Sequence, residues 1–491
     1  MVDSGSGSGN GTIIIINEAE THTPLLHQPN NETTLIQRTC SESKSLWQIA
    51  APSIFTRLAM FSITVFTQSL AGHLSDLDLA AFSISCSFFL SITFSFLLGM
   101  SGALETLSGQ AYGARKHHMM GIYLQRSWLV LFISSVFMIP IFVFASPILK
   151  FIGQPSAVAE RTGLVAVWLI PLHLSFPFQF SLQRFLQCQL KTRVVAWIAG
   201  VSLAFHVAVS LVFVSKMKVG IVGAALSMGF SWWVTVVGML CYTLFGGCKD
   251  SWTGFSSEAF VGLWEFFNLS FASGFMLLLD YIYYRLLLIM SGYMNNSADA
   301  IDAISVCVTI YAWESMIPLG FLSATGVRVA NELGAENAKG AKFATAISLL
   351  NTLAVGFIFW LIIMVFKENL ALIFTSSSSI VRMVNELSIL LAFTILLSCL
   401  QPVLSGVAVG CGNQAIVAYI NIGSYYLIGM PLGVLLGWLL PWGIFGMWTG
   451  MMSGTVVQTL ILIIITMRYD WDQKVRKAQI LIKEKALLCN Q

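Results

Sequence analysis

Two carboxylic acids stand in stretches otherwise apolar enough for a bilayer interior: Asp280 in Phe275–Arg285 (FMLLLDYIYYR) and Glu314 in Ile310–Pro318 (IYAWESMIP). An ionisable side chain at that depth is costly, so each acid is a candidate for carrying or exchanging a charge. Each lies roughly twelve residues from the intervening 292–302 loop, which at about 1.5 Å per residue puts them at similar depth on adjacent antiparallel helices. Arg285 follows Asp280 by five residues, about 140° around a helix, a poor spacing for an ion pair. Tyr283 and Tyr284 share the Asp280 face and are expected to donate hydrogen bonds to it. A carboxyl poised between apolar surroundings, which favour the protonated form, and polar donors, which favour the ionised form, can take up and release a proton. The alternative is that Asp280, Arg285 and Glu314 form a static charge network. Tyr283, Tyr284, Arg285, Trp313, Met316, Ser398 and Gln401 are the expected contacts in a substrate cavity. Pro318, four residues after Glu314, and Pro402, next to Gln401, are expected hinges, because proline frees a carbonyl and bends a helix.

The first half of the chain has no acid at mid-depth. Arg57 sits inside the first apolar stretch (PSIFTRLAMF) and either reaches back to lipid phosphates or pairs with Glu105 at the end of the second. His173 and His206 read as hydrogen-bonded packing residues. Proton coupling, if present, is therefore expected in the second half.

The elements that must hold these groups are membrane spans. Apolar stretches of the length a helix needs to cross a bilayer occur at 47–71, 79–104, 124–146, 163–185, 194–215, 221–245, 262–291, 302–326, 343–366, 384–410, 415–438 and 444–467. The second six repeat the first six. Ser101–Ala114 (SGALETLSGQAYGA) aligns with Leu322–Ala335 (LSATGVRVANELGA), and Gly220–Gly223 with Gly443–Gly446. Each half has an even number of spans, so both enter from one side, which makes a parallel repeat about an axis normal to the membrane. The expected fold is an all-α integral membrane protein of twelve transmembrane helices in two six-helix lobes. Residues 1–44 read as a disordered tail, 45–245 and 262–467 as the two lobes, 246–261 as the linker between them and 468–491 as a second tail. With both termini in the cytosol, eighteen Lys and Arg fall on the cytosolic side and six on the other, a strong positive-inside bias. The last segment, Tyr469–Lys485, reads either as a basic amphipathic helix on anionic lipid or as a solvated tail.

Composition agrees: 56% of residues are hydrophobic and 10% charged, where a soluble domain carries about 25% charged residues. The net charge of +3 is too small to suggest nucleic acid. The nine cysteines contain no Cys-x-x-Cys pair and read as packing residues. No His/Glu metal motif, protease pattern or phosphate-binding loop is visible, so no enzyme activity and no cofactor are expected. A Gly-x-x-x-Asp-Arg-like loop of the major facilitator type is absent at Gly113–Gly121 (GARKHHMMG). Asn295-Asn296-Ser297 is a sequon on the non-cytosolic side, and Leu25-Leu26 with upstream Glu20 suggests a dileucine sorting signal.

Gly99–Arg115 (GMSGALETLSGQAYGAR), Arg328–Gly334 (RVANELG) and Gln401–Gln414 (QPVLSGVAVGCGNQ) together resemble the hallmarks of the plant MATE (multidrug and toxic compound extrusion) transporters, the DETOXIFICATION proteins. The resemblance runs from about Leu46 to Trp471. It implies that the two lobes form a V around a central cavity, and that the protein carries out efflux or vacuolar sequestration of organic cations, xenobiotics or plant secondary metabolites in exchange for protons or, less often, sodium, driven by the ion gradient; a monomer is expected. It implies a proton-linked carboxylate on the seventh helix, where this chain has Leu278-Leu279-Asp280. Many relatives carry Asp or Asn three residues before the motif's Gln, and this chain has Ser398, whose hydroxyl does not exchange a proton near neutral pH. Either Glu314 then partners Asp280, or Asp280 acts alone, or conduction is uncoupled as in an anion channel or uniporter. The vacuolar membrane is expected over the plasma membrane.

Overall fold

Thr34 opens the first helix. Its hydroxyl accepts from the Gln37 amide while the Gln37 side chain accepts from the Thr34 N–H, a reciprocal capping box that starts α1 (Leu35–Leu74) well before its apolar stretch. The computed structural model describes residues 34–292, 298–440 and 442–488. Residues 1–33, with Leu25-Leu26, and the sequon at Asn295 lie outside the described residues.

After α1 come α2 (Asp76–Gly113), α3 (His117–Val143), α4 (Ser156–Cys188, bent by 43° at its middle), α5 (Thr192–Val214) and α6 (Ile221–Gly247). The second lobe holds α7 (Leu263–Gly292), α8 (Ala298–Gly334), α9 (Ala338–Phe374), α10 (Ser378–Gly410), α11 (Gln414–Leu439) and α12 (Gly443–Met467). A final helix, α13, spans Trp471–Leu488. Eleven helices, or twelve with the bent α4 counted as one span, are long and apolar enough to cross a membrane. No strand occurs among the described residues.

One expectation is corrected. Residues 34–44 are not a disordered tail, because α1 runs through them and Glu42 reaches the buried Arg328. The linker is held in place. Gln125 bonds both Gly254 O and Ser256 N, and Arg126 donates to Glu258 O, so the segment is fixed to α3. Helices α8 and α10 run continuously through Pro318 and Pro402. A bend of 43° between helical segments falls at Leu169, just before Pro171 on α4. As for the final segment, it forms a helix packed on the protein: Trp471, Ala478 and Ile482 are buried and Gln479 donates to Gly334 O at the end of α8.

The lobes meet along α2 and α8, and glycine sets how closely. A Cβ on Gly113 would strike the backbone oxygen of Asn331, and a Cβ on Gly334 would strike that of Gln110. In the repeat alignment Gly113 matches Gly334 and Gln110 matches Asn331. Residue i of one lobe thus touches j′ of the other while j touches i′, the signature of a two-fold relation between the lobes. The matched pairs Gly109/Ala330 and Glu105/Gly326 face each other directly, so α2 and α8 cross on that axis. Thr106 and Gln110 of α2 donate to Val409 O and Gly410 O at the end of α10, completing the seam.

Candidate functional site

Asp280 sits two-thirds along α7, inside the second lobe, and its carboxylate is held by amides. Asn421 Nδ2 on α11 donates to one oxygen at 3.1 Å, and Gln401 Nε2 on α10 approaches the other at 3.4 Å. Behind Asn421 the bonds continue: Gln458 on α12 donates to Asn421 Oδ1 at 2.6 Å, and the Tyr425 hydroxyl donates to Gln458 Oε1 at 2.7 Å. Each donor in this relay points along the path toward Asp280, so the dipoles reinforce one another. Asn421 and Gln458 are fully buried, and Tyr425 lies in a π-helical stretch of α11, Ile422–Gly429. Such widened turns recur at functional sites because they re-aim side chains.

The tyrosines expected to bond Asp280 do not. Tyr283 is fully buried, stacks on Tyr425 with ring centres 4.1 Å apart, and donates to Met451 O on α12. Tyr284 faces Thr455 at 3.4 Å and the ring of Tyr311. The phenol is long, so its hydroxyl passes a carboxylate on the same helix and reaches the next one. Ser398 accepts from the Tyr311 hydroxyl at 3.2 Å.

The static network of Asp280, Arg285 and Glu314 is also absent. Arg285 donates to the Tyr281 hydroxyl, which in turn donates to Ser87 O across the seam. Glu314 is 4% exposed; one oxygen accepts from the Cys399 thiol at 3.6 Å and the other has no partner. Cys399 and Gln401 are two apart on α10, hence about 200° around it. The two acids therefore lie against opposite faces of α10, and no hydrogen bond joins them. Trp313 is 38% exposed and packs edge-on against Phe61 of α1, at the lobe boundary, and Met316 is half-buried one turn further along.

A second charged cluster lies at the axis. Glu105, fully buried, pairs with Arg184 of α4 at 2.5 Å rather than with Arg57. Arg184 and Arg57 both donate to Ser323 of α8, at 2.7 and 3.1 Å, so two cations of the first lobe converge on one hydroxyl of the second. Arg57 therefore neither reaches toward lipid nor makes an ion pair, although Glu105 and Arg184 are both within electrostatic reach of it. His173 and His206 hydrogen-bond Ser135 O and the Thr67 and Ser231 hydroxyls inside the first lobe.

Asn421, Gln458, Tyr425 and Arg184 escape a search for ionisable groups in the second half. The available signal was the lone amide in each apolar span, INIGSYY and GTVVQTL.

This arrangement matches known proteins along nearly its whole length. The MatE family model matches residues 52–212 and 272–435, one segment per lobe. The chain belongs to the MatE family. Protein DETOXIFICATION 27 of Arabidopsis thaliana is 52% identical over 465 residues, covering 94% of this chain and 96% of the relative. Protein DETOXIFICATION 26 of the same plant is 52% identical over 90% of this chain and 91% of its own length. The crystal structure of the eukaryotic MATE transporter AtDTX14 superposes with a TM-score of 0.86 at 31% identity, covering 90% of this chain and 99% of that one. This MatE protein is thus a multi-pass membrane protein of a transporter family, and its two lobes are the two repeats of that family.

Proposed function

We propose that this MatE protein is a proton-coupled antiporter that moves organic cations, xenobiotics or plant secondary metabolites out of the cytosol. The observation that carries the reading is Asp280, a carboxyl inside the membrane-spanning lobe that accepts from the amides of Asn421 and Gln401 and has no ion pair among the described residues. Amides stabilise the charge without cancelling it, so a proton or a cation can still do so. Protonation turns one acceptor oxygen into a donor facing an amide N–H. Asn421 or Gln401 must then turn away, and Gln401 already has a second acceptor in Ser405 Oγ at 3.2 Å. Because the relay ties α7 to α10, α11 and α12, that local change shifts how four helices pack and so biases the orientation of the lobe. Proton and substrate cation competing for one carboxylate produce exchange. The DETOXIFICATION names of the relatives fit such a role.

The protein acts as a monomer with both termini in the cytosol, as the excess of Lys and Arg on that side indicates. The vacuolar membrane is the favoured address, with the Leu25-Leu26 signal in the first segment. A second reading, an anion channel or uniporter, is favoured by Ser398 in place of an acid and by Arg57, which has no ion-pair partner.

One experiment separates the two. Purified protein is reconstituted into vesicles with an imposed pH gradient, and organic cations, flavonoid conjugates and halides are added in turn. Antiport requires that at least one solute collapse the gradient and that Asp280→Asn abolish the effect. Equal movement of a solute without the gradient and with Asn at 280 sinks the proton-coupled reading and supports the channel.

A further inference from the structure

The first three turns of α1 belong by sequence to the first lobe, yet they make a set of polar and aromatic contacts with the second. Glu42 clasps Arg328 of α8 in a two-pronged bond, 2.9 Å on each arm. Ser43 donates to Asn351 Oδ1 of α9 at 2.8 Å, and the Trp47 indole donates to the same oxygen at 3.0 Å. The Arg38 guanidinium lies 5.2 Å from the ring centre of Phe343, and Trp47 meets Phe321 edge-on at 5.1 Å. We propose that residues 35–47 are a latch that holds the two lobes together on the side bearing the N-terminus, with Glu42 as its positioning residue acting through Arg328.

Arg328 is 2% exposed and carries two carboxylates, Glu42 and Glu332, the latter at 2.7 Å on its own helix. Glu332 travels with Arg328 whenever the second lobe moves, and Asn337 fixes its other oxygen at 2.7 Å. Glu42 does not travel with them. For the lobes to part on this side, the planar bidentate pair must break, and charge-assisted bidentate pairs are among the stronger side-chain contacts. It lies just outside the inner seam, where Arg57 and Arg184 meet Ser323. Opening toward this side therefore releases the outer layer and the inner layer together. Alternation between lobe orientations is the premise here, and the test reads lobe separation directly, so it stands or falls independently of the transported solute.

The test is a distance measurement between spin labels on the full-length protein. Labels at Arg193→Cys and Lys339→Cys, both exposed and at the same end of opposite lobes, are placed in a chain whose Cys40, Cys241 and Cys489 are serine. The parent is expected to show one dominant short distance. Glu42→Gln, which keeps shape but removes the charge, is expected to raise a longer-distance population about tenfold. Glu42→Asp restores most of the short distance. Asn351→Ala, which removes the shared acceptor of Ser43 and Trp47, is expected to lengthen it in the same sense, and it decides the matter if Glu42→Gln does not fold. Distributions for Glu42→Gln, or in its place Asn351→Ala, that superimpose on the parent overturn the proposal.

Discussion

Glu105→Gln is a demanding test of how the seam is built. Glu105 is fully buried and Arg184 is 3% exposed, with an oxygen–nitrogen distance of 2.5 Å. At an effective dielectric constant of about 20, two unit charges at that distance attract by about 6–7 kcal/mol. Desolvation offsets much of this, so the net worth of the pair is small, but removing one member is not. Glutamine keeps the volume and leaves Arg184 and Arg57 facing each other without an anion, at a cost of about 3–5 kcal/mol. Arg184→Gln is milder, because Glu105 then still has Arg57 within electrostatic reach. The double variant should recover part of the loss, with a coupling of about 2 kcal/mol or more. The assay is thermal unfolding of purified protein in detergent, followed by loss of the monodisperse peak on size exclusion. The midpoint should fall by about 5 °C or more for Glu105→Gln, less for Arg184→Gln, with the double variant above Glu105→Gln. Equal losses for the two single variants, or strict additivity in the double, would refute the view that one acid compensates two arginines.

Two further outcomes are expected. Asn421→Leu removes the closer amide from Asp280 and strands Gln458 Nε2, so gradient-driven flux in vesicles should drop about tenfold or more while the protein stays folded, and unchanged flux would detach the relay from function. Burial pushes the Cys248 thiol above its ordinary range, despite the nearby Lys191 ammonium. At neutral pH it should therefore react with a maleimide much more slowly than the exposed Cys40, as peptide mapping after brief labelling would show.

Hydropathy was enough for the spans from α7 to α12, whose expected limits fall within or near the observed helices. It failed at the start of α1. Residues 35–46 are polar, and hydropathy measures what crosses the bilayer, not where hydrogen bonding begins; the Thr34–Gln37 box was the local sign. The repeat alignment was informative beyond its use, since matched residues of α2 and α8 meet on the axis. Where the repeat breaks, it breaks with a purpose: Glu105 opposite Gly326 puts one carboxylate where two would collide. At the site, depth in the membrane singled out Asp280, but its partners are neutral amides on α10 and α11, and nothing in local spacing ties them to α7. The pairing of Glu105 with Arg184 was equally hidden, because helix packing, not chain proximity, brings α2 and α4 together.

The fastening of the connecting segment to α3 has a mechanical corollary. Arg126 holds the chain at Glu258, and α7 begins at Leu263. Only the four residues between them are left to span the gap, a reach of about 14 Å when fully stretched. So short a tether permits the halves to rock about a fixed corner and forbids them to drift apart. A flexible stretch of glycine and serine spliced in after Val261 would remove that corner, leaving the pair to find its register from surface complementarity alone, as two separately made chains would.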